Sequence, residues 1–252
     1  MILTMLAAAA LQPQNAVEAE RAFAAMAQTD GASTAFLHWS TPEAIMFAPA
    51  LVTAQSLYRG RPNPPPGLMW WPGRSWVSCD GSLAVNTGPW VRGGGRSTGT
   101  FTTVWQRQSD GQWRWLLDHG RPTPRAVPAT DDPQVTRASC RTRPQSPPHG
   151  YLGGMGPMVL EDASPELLVQ EDGAMPASRP SAALAFDFGE EIAAGTSEDR
   201  TLVWRLFEAE PLPQGSGALA ARASGSRVML VHQWGGSAYR LVLLEASVTR
   251  GQ

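Results

Sequence analysis

The sequence predicts a mixed α+β fold, helices first and an antiparallel sheet after, and three observations carry that reading. Residues 16–28 (AVEAERAFAAMAQ) place Val17, Phe23 and Met26 with several alanines on one helical face, leaving Glu18, Glu20 and Arg21 for water. Residues 75–120 run as short strands between turns written into the chain: Cys79-Asp80-Gly81-Ser82, the glycines 93–95, and Ser109-Asp110-Gly111. Asp-Gly suits such turns because glycine takes φ > 0 without steric cost. Residues 151–252 then show strand patterning almost throughout, so the sequence continues as sheet.

Taken in order, Thr29-Asp30-Gly31 ends the first helix, and Asp30 or Ser33 is placed to cap a second that runs to Trp39. Pro42 prevents its continuation, and residues 44–47 read as a short strand. Residues 53–59 suit a third, short helix, and 60–67 (GRPNPPPG) are too rich in proline for regular structure. Strands follow at 75–78, 83–90, 100–107 and 113–118. In the last of these, strict alternation sends Trp113, Trp115 and Leu117 to one face and Arg114, Leu116 and Asp118 to the other. Residues 122–150, rich in Pro, Arg and Ser, read as a linker between a first domain at 15–121 and a β-rich domain at 151–252.

In the second half only 164–170 (SPELLVQ) carries a helix signature, with Pro165 at the first helical position. Strands are expected at 182–188, 192–196, 201–208, 218–223, 227–234 and 239–248, the last two joined by Gly235-Gly236-Ser237. An internal echo runs between the halves. Residues 104–118 (VWQRQSDGQWRWLLD) align on 230–244 (LVHQWGGSAYRLVLL), and CDGSLAV from Cys79 is similar to EDRTLVW from Glu198. A degenerate second copy of the first domain and a pair of generic hairpins both account for it.

Composition excludes several classes of chemistry. A net charge of −2 gives no general attraction to nucleic acid or to an anionic membrane. All twenty basic residues are arginine, so Schiff-base chemistry and a phosphate-loop lysine are ruled out. Four histidines and two cysteines show no metal-ligand spacing, and no motif calls for a cofactor. Residues 1–14 (MILTMLAAAALQPQ) are too short to span a bilayer and read as a signal peptide, which implies a periplasmic or secreted protein; an ordinary N-terminal segment of a cytoplasmic protein is the alternative. In an oxidising compartment Cys79 and Cys140 have the chemistry to pair, and their positions speak neither for nor against it.

The helix EAERAFAAMA from Glu18, then AFLHW from Ala35, then DGSLAVNTGPW and GTFTTVWQRQSDGQWRWLLDHG together resemble the SnoaL-like or ketosteroid-isomerase-like proteins of the nuclear transport factor 2-like superfamily. The resemblance covers residues 16–120. It implies a cone in which N-terminal helices pack on a curved antiparallel sheet and enclose a cavity for a small apolar ligand. It does not imply a reaction, because this superfamily hosts isomerases, cyclases and non-catalytic binders alike.

Within that frame the candidate acid/base residues are His38, near the end of the second helix, and Asp118, at the end of the last strand of the first domain. Asp118 and His119 are neighbours in a strand and point to opposite faces, so they do not enter one pocket together. Trp39, Tyr58, Trp70 and Trp71 are the candidate ligand contacts, the last two because they follow the proline loop at the expected cavity mouth. Three readings follow: an exported small-molecule-binding protein with an aromatic cavity, an isomerase- or cyclase-like enzyme acting on an apolar carbonyl compound, and an interaction module that forms a homodimer through its sheet.

Overall fold

A computed structural model describes residues 12–47, 50–123, 126–146, 158–159, 166–171, 185–211 and 227–248. The N-terminal segment 1–11 and the expected strand at 218–223 lie outside these. Helix α1 (Ala16–Thr29) starts where Asn15 caps it: the Asn15 carboxamide oxygen accepts from the Glu18 N–H, and the Glu18 carboxylate accepts in return from the Gln14 N–H. Helix α2 (Ala32–Trp39) begins at Gly31, whose φ of +93° suits only glycine, without a side-chain cap. It runs straight into β1 (Ser40–Phe47), a longer strand than the expected 44–47. After β2 (Leu51–Thr53), the Thr53 hydroxyl caps α3 (Ala54–Tyr58) by accepting from the Ser56 N–H.

The first sheet adds β3 (Leu68–Trp70), β4 (Arg74–Val77), β5 (Leu83–Arg92), β6 (Ser97–Arg107), β7 (Trp113–Pro122) and β8 (Gln134–Arg137). Its order is β2-β1-β7-β6-β5-β4-β8, with β3 paired to the far end of β5. All three helices pack on one face. The stretch read as a linker is partly bound in: β8 joins β4 in parallel, and Cys140 is disulfide-bonded to Cys79.

A β-bulge in β7 overturns the strict alternation expected there. Trp105 pairs with Trp115 but Val104 pairs with Leu117, so Leu116 is the extra residue. The insertion changes the phase of the strand. Trp113, Trp115 and Asp118 face the helices, whereas Leu117 and His119 face the other way.

The second sheet consists of β9 (Met158–Val159), β10 (Glu166–Glu171), β11 (Ala185–Thr196), β12 (Leu202–Pro211), β13 (Arg227–Trp234) and β14 (Tyr239–Val248), in the order β10-β14-β13-β12-β11-β9. The segment read as a helix at 164–170 is strand β10 over its described residues, paired in parallel along β14. Proline and capping signals set only a local preference, and an open sheet edge that supplies partners for the backbone overrides it. Over their described residues, the two strands expected at 182–188 and 192–196 are one, with register shifts between Phe188 and Ala193; residues 182–184 lie outside the described residues.

The molecule is thus layered as helices, first sheet and second sheet. One core lies between the helices and the first sheet, around Phe23, Phe36, Trp105 and Trp115. The other lies between the sheets, where Leu83, Val85, Val104 and Leu117 meet Leu202, Trp204, Val231 and Leu243.

Candidate functional site

The helices leave an open cavity of about 310 Å³ against the first sheet. Phe23 of α1 and Phe36 of α2 form its inner wall, their rings edge to face at 4.8 Å, and Trp70 stands 4.8 Å from Phe23. Leu57 and Tyr58 of α3, Leu68 of β3, and Met46 and Phe47 of β1 complete the sides. Trp90, Phe101 and Gly120 form the sheet end. Gly99 is required there: a Cβ on it would lie 2.0 Å from the Arg121 carbonyl oxygen and 2.3 Å from the Trp90 ring. The polar groups in this lining are Asp118, the Tyr58 hydroxyl and Arg92, the last exposed at the mouth.

Asp118 faces this apolar space because the Leu116 bulge turns it there. It is 7 % exposed, and its Oδ1 accepts a hydrogen bond from the Thr103 hydroxyl at 2.6 Å. Its second carboxylate oxygen takes no hydrogen bond from the described residues. Burial pushes its pKa from 3.8 up to about 6, against the pull of the Thr103 bond and the nearby His119. Tyr58 is pushed up to about 12, by burial first and then by the charge of Asp118, while Arg92 and Arg61 pull the other way. The phenol therefore stays protonated and remains a hydrogen-bond donor at any ordinary pH.

A second buried carboxylate stands behind the aromatic wall. Glu20, assigned to water by its charge, is fully buried in α1. Its Oε1 accepts from the Trp70 indole N–H at 2.9 Å, and its Oε2 accepts from the Trp105 indole N–H at 2.6 Å and from the Asn86 amide at 3.3 Å. Burial and then the charge of Asp118 raise its pKa to about 7, although all three bonds favour the ionised form. The signal was present in the sequence: Ala16, Glu20, Phe23 and Ala27 recur at helical spacing, and the three alongside Glu20 are buried. Glu20 fixes Trp70, and Trp70 is cavity wall.

Of the residues singled out from sequence, the structure brings Asp118, Tyr58 and Trp70 together in one cavity. It does not bring the other three there. His38 is exposed on the last turn of α2, its ring edge-on to Trp39, because the buried side of that short helix is taken by Ser33, Ala35, Phe36 and Trp39. Trp39 is buried in the core instead, 5.9 Å from the Trp105 ring. Trp71 follows Trp70 in extended chain, so alternation turns it from the side that Trp70 faces. Sequence reasoning missed Glu20, Trp90, Phe101 and Arg92 in this region.

Among the described residues no cluster of His, Cys, Asp and Glu could hold a metal ion, and no helix is long and apolar enough to cross a membrane. No protein-family model matches the sequence, and no curated protein matches it significantly. Among solved structures, the chain is similar to one from Parabacteroides distasonis described as a "putative ketosteroid isomerase". Identity is 19 %, the match covers 44 % of this chain and 90 % of that one, and the TM-score is 0.36.

Proposed function

We propose that the first domain binds a small apolar carbonyl compound in this cavity and that Asp118 shuttles a proton between two of its carbons, as in the isomerisation of a β,γ-unsaturated ketone to its conjugated form. The observation that carries the reading is the second carboxylate oxygen of Asp118, which takes no hydrogen bond from the described residues and lies in an aromatic-lined cavity. Burial raises its pKa to about 6, close to neutral pH, where a general base combines availability with strength. In the first step the free oxygen of Asp118 takes a proton from the carbon next to the carbonyl. The C–H electron pair moves into a C=C bond, and the carbonyl oxygen becomes an enolate oxygen. The Tyr58 hydroxyl is the donor available to that oxygen. With a β,γ-unsaturated ketone this enolate is a dienolate; in the second step Asp118 returns the proton to the γ carbon, the enolate electron pair re-forms the C=O bond, the C=C bond shifts into conjugation, and nothing is consumed. Arg92, exposed in the lining, favours a ligand whose outer end is polar.

Deuterium uptake tests this directly. Cyclic and aromatic ketones incubated with the protein in D2O are followed by NMR, and a β,γ-unsaturated ketone by the absorbance of its conjugated product. Faster exchange with the native chain than with Asp118→Asn is the expected result. Binding of the same ketones with no exchange above background leaves a binding protein and rejects the enzyme. We also propose that the protein is exported. The Cys79–Cys140 disulfide supports this, because such bonds persist outside the reducing cytoplasm. N-terminal sequencing of the mature protein checks it, and a chain still beginning at Met1 rejects cleavage of a signal peptide.

A further inference from the structure

The two sheets repeat one another in detail. Strands β5, β6 and β7 form an antiparallel meander, as do β12, β13 and β14. Their registers agree residue for residue. Leu83 pairs with Gln106 as Leu202 pairs with Gln233, and Val85 with Val104 as Trp204 with Val231. The bulge recurs at the same place: Val104 and Trp105 pair with Leu117 and Trp115, and Val231 and His232 pair with Leu243 and Leu241. The extra residue is Leu116 in one sheet and Val242 in the other.

The turns that lead into the two meanders are built alike. In Ser78-Cys79-Asp80-Gly81-Ser82-Leu83, the Ser78 hydroxyl, the Ser82 N–H and the Ser82 hydroxyl all donate to Asp80 Oδ1, and the Leu83 N–H donates to the Ser78 hydroxyl. In Ser197-Glu198-Asp199-Arg200-Thr201-Leu202, the Ser197 hydroxyl, the Thr201 N–H and the Thr201 hydroxyl all donate to Asp199 Oδ1, and the Leu202 N–H donates to the Ser197 hydroxyl. Even the left-handed residue is kept. Gly81 has φ of +70°, and Arg200, alone among the described non-glycine residues in the left-handed region, has φ of +65°.

The turns also grip each other reciprocally. The Asp80 N–H donates to Asp199 Oδ2 at 2.8 Å, and the Asp199 N–H donates to Asp80 Oδ2 at 3.0 Å. The Cys79 N–H donates to the Thr201 hydroxyl at 2.8 Å, and the Glu198 N–H to the Ser82 hydroxyl at 3.2 Å. Each of these hydrogen bonds from one turn to the other is thus answered by the matching bond in the opposite direction, which defines a two-fold arrangement of the turns. Matching positions also meet each other elsewhere: Thr102 pairs with His119 as Met229 pairs with Glu245, and His119 Nε2 lies 2.6 Å from Glu245 Oε1. Leu83, Val85, Val104 and Leu117 share one core with their counterparts Leu202, Trp204, Val231 and Leu243.

We propose that the chain is a pseudo-dimer within one polypeptide: its second half is a diverged copy of the first half's sheet, seated where an identical second subunit would sit. The occupant of the sheet face considered above for a homodimer is therefore the chain itself, and the full-length protein is a monomer. The copies have divided their roles. Thr103 pairs with Asp118 where the second copy pairs Leu230 with Leu244, so the ionisable floor of the cavity belongs to the first copy alone.

Light scattering on the full-length protein gives the first test. A single species of 27.0 kDa is expected, and a stable dimer of twice that mass overturns the proposal. Hydrogen exchange gives the second. Thr201→Val removes the acceptor of the Cys79 amide, and Ser82→Ala removes the acceptor of the Glu198 amide. Each variant is expected to speed exchange of that amide in the opposite half about fivefold or more, the weight of one hydrogen bond. A response in one direction only overturns the two-fold docking.

Discussion

Asp118→Asn should make the protein more stable, and more so as the pH rises. The substitution keeps an acceptor for the Thr103 hydroxyl and removes the charge that the cavity disfavours. In the native chain the folded-state pKa of Asp118 is raised from 3.8 to about 6, so the folded protein holds this proton more tightly than the unfolded chain. Its contribution to stability is then fully present below pH 3.8 and is lost as the pH rises through 6. A displacement of that size corresponds to roughly 3 kcal/mol once both states are ionised. The variant escapes the loss. Its stability relative to the native chain should climb by roughly 2.4 kcal/mol between pH 4 and pH 7.5, or about 5–10 °C in melting temperature for a chain of this size. Glu20 adds in the same direction, because the charge of Asp118 contributes to its own raised pKa. Urea titrations at half-unit pH intervals measure the difference, and comparing its slope removes any constant cost of the new amide. A difference that stays flat across this range would mean that Asp118 is solvated, and the argument for a desolvated base would fall with it.

Other outcomes follow from the same contacts. Glu20→Ala leaves two indole N–H groups without their acceptor and the Asn86 amide with the Ala16 carbonyl alone, and should cost about 2–4 kcal/mol at pH 5, a cost that shrinks as the pH rises to about 7 and then levels off, because the native Glu20 ionises over that range; chemical denaturation at pH 5 and pH 8 checks it. Reducing Cys79–Cys140, which closes 61 residues of chain, should lower stability by up to about 4 kcal/mol, read from denaturation with and without a reductant. Trp70→Leu should weaken binding of an apolar fluorescent probe several-fold, whereas Trp71→Ala and His38→Ala should leave its affinity unchanged in the same titration.

The parts of this structure that were legible in sequence are those set by neighbours along the chain. The turns at Asp80, Asp110 and Gly236 are fixed by residues that accept positive φ or bond their own backbone, and alternation alone was enough to separate Asp118 from His119. What escaped depends on partners far away. The Leu116 bulge is a property of β6 and β7 together, and nothing in WRWLLD announces it. Glu20 was assigned to solvent by its charge, since the groups that make its burial tolerable, Trp70, Asn86 and Trp105, lie 50 to 85 residues on. Strand β10 carried a helix signature that only the edge of β14 could override. The echo between the halves was visible in the turn at Asp80 and the turn at Asp199, but the gapless alignment of 104–118 on 230–244 could not hold throughout. The registers match Val104 with Val231 but Leu117 with Leu243, so the β6–β7 connection is one residue shorter in the second copy.

The shared core between the sheets also sets an order of events during synthesis. Leu83, Val85, Val104 and Leu117 leave the ribosome well before Leu202, Trp204, Val231 and Leu243 exist to cover them. For the time needed to make more than a hundred further residues, on the order of ten seconds, the nascent chain carries an uncovered apolar face. A neighbouring nascent chain offers the same face and the same turn, so a swapped pairing between molecules competes with the pairing inside one.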